Sequence, residues 1–298
     1  MSERNFYRSY ILSVGKNGGT GFQLGNVYSA GEEALHISFS VEKSDAESPN
    51  SAKIQVWNLS DQNLRILDTK DIIVELKAGY GDNLALILAG NVTYVTTSPD
   101  GADRLTEIEV TDGRVELRDA NLSISRNGKV NSRDLYSSIA EAMGLSVVFA
   151  GELSYVTLPN GFSFVGKGKN ALQRIAQANG HTWTIQNGVI QITLPGRPAN
   201  TRGYLLNSDT GLLSIPKRIT ISQSGGNESL TGWEVEYFLN GAIGVNDVVQ
   251  LESGTANGYY RVHKVTIDGD NLEGDWICTA QLLEIKALPK LDAKAVAS

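Results

Sequence analysis

Apolar residues recur at every second position over most of this chain, before residue 112 and again after residue 203, and that period belongs to β-strands. Leu35, Ile37, Phe39 and Val41 fall on one side of the segment LHISFSVEKS, and His36, Ser38, Ser40 and Glu42 on the other. Such a strand buries one face and wets the other. Ile54 and Val56 repeat the pattern in SAKIQVWNLS, with the turn residues of DAESPN between. DIIVELKAGY (71–80), LALILAGNVTYVTTS (84–98) and RLTEIEVTDGRVEL (104–117) continue it, punctuated by Gly81-Asp82, Asp100-Gly101 and Asp112-Gly113. SDQNLRIL (60–67) breaks the run with a short helix, capped by Ser60 and anchored inward by Leu64 and Leu67. Six or seven strands and one short helix predict a barrel or sandwich over residues 1–120. Glycine supports this: 31 glycines against 7 prolines suit many short strands joined by tight turns.

The period changes to that of a helix in residues 121–200. NSRDLYSSIAEAMG places Leu135, Ile139, Ala142 and Met143 on one face, with Ser132 as N-cap and Gly144 as a left-handed stop. GKNALQRIAQANG repeats the design, with Leu172, Ile175 and Ala176 inward and Gly180 ending it. The two helices align at an offset of 36 residues, each followed by a strand. The second strand enters a hairpin, HTWTIQ–NG–VIQITL, whose Asn187-Gly188 is a strong hairpin signal. The expected unit is a small α+β domain with two helices on a short sheet. PGRPANTRG (195–203) reads as a linker.

After it the period of two returns in KRITISQ, TGWEVEYFL, DVVQLES, YYRVHKVTIDG and WICTAQLLEI. HKVTIDGDNLEGDWICTAQL reads as a long hairpin with an acidic loop. The expected fold class is therefore mainly β with an α+β insert: a first β-domain over 1–120, the α+β domain over 121–200, a second β-domain over 201–286, and a loose tail over 287–298.

The chemistry-bearing motifs are weak. GFSFVGKG (161–168) nearly matches a phosphate loop, but Gly168 stands where a hydroxyl residue belongs and the interior alternates like a strand. DGDNLEGD (268–275) begins like a calcium loop, but Leu272 and Thr279 occupy ligand positions. His36, His181 and His263 are not paired at metal-binding spacing. The single cysteine, Cys278, lies in an apolar strand and reads as an inert buried thiol. No catalytic residue, metal ligand or cofactor-binding residue is expected. Glu107 and Glu109 share a strand face, and Trp57, Trp183, Trp233 and Trp276 each sit in a strand. A cell-envelope carbohydrate-binding or hydrolytic β-protein is therefore the alternative reading to an assembly part. The balance of 26 basic against 33 acidic residues, −7 formally, argues against a sequence-independent nucleic-acid binder. No run of 18 apolar residues occurs, and MSERNFYRSY lacks the core of a signal peptide. Synthesis in the cytoplasm and no membrane insertion are the expectations.

Three stretches together resemble a family: FSVEKSDAESPNSAKIQVWNLSDQNLRIL (39–67), DGRVELRDANLSIS…NSRDLYSSIAEAMGL (112–145) and NSDTGLLSIPKRIT (207–220). They are similar to the baseplate hub protein of contractile-tailed bacteriophages. The resemblance implies two tail-tube-like β-barrel domains flanking a small α/β domain, and a homotrimer in which two tube-like domains per chain imitate sixfold symmetry. It implies a virion location in the tail baseplate. The implied partners are further copies of the chain, the tail tube protein, the central spike, the tape-measure protein and the surrounding wedge proteins, with DNA passing through unbound. A DNA conduit should mildly repel phosphate, and three copies would carry about −21. Glu107, Glu109, Asp268 and Asp270 are the expected lumen-facing acids. IIVELKAGY is the expected strand edge for pairing across subunits. A sixfold distal cap of the tail tube is a further alternative within the tail.

Overall fold

A computed structural model describes residues 7–16, 18–25, 34–112, 120–199, 203–222, 229–285 and 296–297. Alternation becomes burial throughout. In β3 (Ile37–Ser44) and β4 (Ser51–Trp57), Ile37, Phe39, Val41, Ala52, Ile54 and Val56 are buried, while Ser40, Ser51 and Lys53 are exposed. The helix α1 (Asp61–Leu67) is capped by Ser60, whose Oγ accepts from Asn63 N at 3.2 Å, and Leu67 is buried beneath it. β5 (Ile73–Tyr80), β6 (Asn83–Asp100) and β7 (Asp103–Thr111) follow as an antiparallel meander. Residues 113–119, the end of the expected last strand of this segment, lie outside the described residues, as does most of the expected loose tail.

The N-terminal β1 (Arg8–Gly15) and β2 (Gly21–Gly25) form a hairpin on β5. It is missing from the individual strands read above, although Tyr10, Leu12 and Val14 alternate and are buried.

The β-segment after residue 203 comprises β15 (Gly203–Leu206), β16 (Lys217–Ser222), β17 (Ser229–Phe238), β18 (Val248–Glu252), β19 (Asn257–Asp270), β20 (Trp276–Glu284) and the short β21 (Val296–Ala297), which pairs with β15. It joins the first segment in one 14-stranded sheet, whose main path runs β16-β17-β20-β19-β3-β4-β7-β6-β5-β1-β2. The seam is β3 against β19, with Phe39 directly opposite Gly269. One hydrophobic core runs beneath both segments, from Tyr10 and Ile54 to Val265 and Leu282. Each segment contains one long strand that changes partner at a bulge. β6 passes from β5 to β7 at Asn91, next to a bulge at Thr93, and β19, paired with β20 on both sides of its bulge at His263, passes there from β18 to β3. Bulges of this kind bend a strand and let one sheet curve. The expectation that IIVELKAGY offers a free edge is corrected here: β5 is paired on both sides, by β1 and β6, and the main path ends at β2 and β16.

At the seam, a Cβ on Gly269 would lie 2.2 Å from Phe39 Cζ, and the Phe39 ring packs edge-on against Trp276 at 5.4 Å. Gly269→Val should therefore overpack the joint and cost about 1–3 kcal/mol, read as a lower urea midpoint at an unchanged slope.

The insert is built as its periods predict. α2 (Ser132–Met143) and α3 (Gly168–Asn179) both end on left-handed glycines, Gly144 and Gly180. They pack on a three-stranded sheet of β10 (Ser146–Phe149), β14 (Val189–Thr193) and β13 (Thr182–Gln186), in that order, while the two-residue strands β9 (Val130–Asn131) and β11 (Thr157–Leu158) pair with each other. Two details are corrected. Asn131, not Ser132, caps α2, its Oδ1 accepting from Arg133 N at 2.8 Å. Ala140, not Ala142, faces the core, because the stripe follows Leu135, Tyr136, Ile139 and Met143. GFSFVGK forms β12 (Phe162–Lys167), paired with β8 (Asn121–Arg126), and runs straight into α3 with no intervening turn.

Candidate assembly surfaces

Strand register decides which polar side chains share a surface. Along one row across the sheet, Asp270 of β19 stands opposite Ser38, Ser38 opposite Gln55, and Gln55 opposite Glu107. In the next row but one, Asp268, Ser40, Lys53 and Glu109 are aligned in the same way. The four acids singled out from the sequence thus stand on one polar face of one sheet, although 160 residues separate the pairs along the chain. Three strand spacings, about 14 Å, lie between them. Glu42, Glu234 and Glu236 have the same parity on that face. Its lysines are matched to acids: Lys53 to Glu107, Lys264 to Glu42 at 2.8 Å, and Lys217 to Glu236 at 3.7 Å. Glu109, Glu234 and Asp268 have no ion-pair partner among the described residues, so the face carries surplus negative charge. Asp270 differs from the other three. It terminates the face, taking His36 Nε2 at 3.0 Å and the backbone N–H groups of Leu272 and Glu273. Burial alone would raise its carboxyl, but those donors hold it below its ordinary range. The 268–275 loop is accordingly a self-bonded hairpin turn, and no cluster of three metal-ligating side chains occurs among the described residues.

The insert docks through the hairpin tip. Asn187 and Gly188 both have positive φ, 51° and 76°, as a tight two-residue turn requires. The carboxylate of Asp112 accepts from both backbone nitrogens, at 2.5 and 2.9 Å. Lys43 Nζ donates to Asn187 Oδ1 at 3.1 Å, and Asn50 Nδ2 to the Ile185 carbonyl at 3.1 Å. Burial pushes the Lys43 ammonium down to about 8, with Asp112 opposing the shift, and raises the Asp112 carboxyl despite its donors. Lys43 stands on the inward parity of β3 after Ile37, Phe39 and Val41, a cation in an otherwise apolar row.

Beside this joint, the bulge in β19 turns His263 toward Asp45, Nδ1 to Oδ1 at 2.7 Å. Arg261 Nη1 donates to Asp45 Oδ2 at 2.5 Å and to Asn246 Oδ1 at 2.6 Å, and its side chain is only 6% exposed. Burial opposes ionisation of Asp45, but the His263 hydrogen bond and the Arg261 charge outweigh it and hold the carboxyl low. These groups floor a cleft of about 480 Å³ between the threonine face of β13 and β14 (Thr182, Thr184, Thr193) and the edge of β16 and β17.

The cysteine and the four tryptophans fall into the core or its margin. Cys278 is fully buried and its thiol is pushed up to about 12 by burial. Trp183 and Trp276 are buried, Trp233 donates to Tyr260 Oη at 3.1 Å, and Trp57 stacks on His36 at 3.8 Å. They do not form one aromatic platform. Glu107 and Glu109 lie on the sheet face, Glu107 engaged by Lys53 and Gln55.

No protein-family model matches the chain, and no curated protein does. Solved structures do. The 43 kDa tail protein of prophage MuSo2 from Shewanella oneidensis is similar over 95% of this chain and 99% of its own, at a TM-score of 0.60 and 10% identity. The tail protein from Neisseria meningitidis MC58 matches over 92% and 96%, at 0.56 and 12%. The E. coli c3393 protein matches over 90% and 77%, at 0.58 and 10%. It is described as a component of the type VI secretion system with structural similarity to the T4 bacteriophage tail proteins gp27 and gp5. The chain has a baseplate-hub-like fold. At these identities the likeness is one of fold, and it covers nearly the whole chain, so the hub-like fold includes both β-segments and the insert together.

Proposed function

We propose that the protein is a structural component of a phage-type tail: a baseplate hub whose two β-segments act as tube-like walls. Three copies would then present six wall segments to the sixfold tail tube and a threefold face to the central spike. The observation that carries this reading is the single sheet spanning both segments, with a polar face that keeps unpaired carboxylates in register across the seam. The matching bulged, partner-changing strands β6 and β19 support treating the segments as equivalent walls. Turned inward, the acidic face would line a bore through which DNA slides without sticking, because unpaired carboxylates repel phosphate. Glu109 and Asp268, with Glu107 and Asp270 beside them, are the bore residues in this arrangement. The tape-measure and wedge proteins would be further neighbours, and the virion tail the location. No residue is assigned a catalytic role and no cofactor is invoked.

The two ends of the sheet's main path, at β2 and β16 among the described residues, suit a heterologous interface that closes into a ring. Native mass spectrometry of the purified chain across a concentration series should show a trimer in equilibrium with monomer. A closed dimer, or a monomer at every concentration that also ignores tube and spike proteins, would contradict the reading.

A further inference from the structure

Charge is distributed unevenly along the fold. Residues 121–186 carry Arg126, Lys129, Arg133, Lys167, Lys169 and Arg174 against Asp134, Glu141 and Glu152, within a chain that is −7 overall. The insert is a cationic island on an acidic body. Its sheet has two different faces. Trp183, Ile185, Ile190 and Ile192 point into the helices, while Thr182, Thr184 and Thr193 point to the cleft over the chain's own β-body, and Gln186 donates to the Ser44 carbonyl. The helix layer is therefore the side turned away from that body. Arg126, Arg133 and Arg174 are exposed on this layer and on β8 beside it. Arg126 stands opposite Phe162 in register and donates to Ser138 Oγ at 3.3 Å, and the Arg174 guanidinium lies 5.4 Å over the Phe162 ring. None of the three has an ion-pair partner among the described residues. The cleft residues Ile221 and Leu230 place the insert beside the β16 end of the sheet, one of the two ends of its main path among the described residues.

We infer that this cationic layer docks on the acidic β-body of a second copy of the chain. The inference rests on the ring proposed above. A head-to-tail ring brings the β16 end of one copy to the other end of the next, so the outward-turned helix layer of the insert at that end faces a neighbour. The chain's acidic surplus lies outside the insert, and the neighbour's exposed carboxylates away from its bore-lining face supply the opposite charge. Complementary charge fixes register and speeds assembly while remaining sensitive to salt.

The test is sedimentation velocity on the full chain at about 50 and 500 mM salt, for wild type, Arg126→Glu/Arg174→Glu and the milder Arg126→Ser/Arg174→Ser. Both sites are exposed, and circular dichroism with thermal melts checks that each variant is folded. The expected result is a wild-type oligomer that loosens with salt, a reversal variant about tenfold or more weaker at low salt, and a Ser variant in between. Carbodiimide cross-linking of mixed ¹⁴N and ¹⁵N chains should then join Lys129 or Lys169 of one copy to body carboxylates of another. A wild-type oligomer whose strength neither reversal nor salt alters, or cross-links confined to single copies, overturns this interface and leaves the hub reading standing. A wild-type monomer at all concentrations overturns both.

Discussion

Asp45→Ala is expected to destabilise the protein by about 3–5 kcal/mol, because it leaves the Arg261 guanidinium buried without its carboxylate. Asn246 alone would then hold that charge, and His263 would lose its partner as well. Asp45→Asn keeps an acceptor but not the charge and should cost less. The pH dependence separates the two effects. The folded Asp45 carboxyl sits below its ordinary value, so its contribution is complete above the unfolded pKa near 3.8 and is lost as pH falls through the folded value. Urea unfolding at pH 7 and again near pH 3 should therefore show the gap between wild type and Asp45→Asn closing on the acid side. An equal gap at both pH values would mean that the carboxylate charge is not what holds Arg261.

Asp112→Ala is the second large effect, and it acts on the joint between insert and wall. The substitution removes the acceptor of two backbone N–H groups at the hairpin tip and strands the buried Lys43. A loss of about 2–4 kcal/mol is expected. Hydrogen exchange should quicken first at Asn187 and Gly188, while the amides of β3, β4 and β7 stay protected. Lys43→Met should be far milder, since burial already disfavours the ammonium. Folded Lys43 binds its proton less tightly than unfolded Lys43, so the cost of burying it is complete below about pH 8 and fades as pH rises toward 10.5. The stability of Lys43→Met relative to wild type should therefore fall across that window. If Asp112→Ala exchanges uniformly faster throughout the sheet, the carboxylate is supporting the wall and not the joint.

The strands and both insert helices were legible because their apolar periods are clean and their stops are glycines with positive φ, at Gly144, Gly180 and Gly188. The polar face was legible for the same reason: Glu107 and Glu109, and Asp268 and Asp270, are each two residues apart in an alternating strand. Their meeting on one sheet was not, because the β3–β19 pairing joins residues more than 200 positions apart and local pattern carries no trace of it. The edge assigned to IIVELKAGY failed for a related reason. Its β1 partner lies in the N-terminal hairpin, whose Tyr10, Leu12 and Val14 alternate plainly but were not assigned to a strand. The Asp45–Arg261–His263 group escaped notice because it depends on a bulge that exposes His263 to a loop carboxylate, and bulges have no reliable signature in composition. Lys43 was the readable exception, a cation standing in an apolar row.

The claim on which the rest stands is that one chain supplies two equivalent wall segments around a bore. A reconstruction of the tail tip of a particle containing this chain tests it most directly. Three copies around the axis are predicted, with Glu109 and Asp268 facing the lumen and β3–β19 forming a seam inside each subunit. Six copies, or a ring that turns this polar face outward and lines the lumen with other residues, would contradict it.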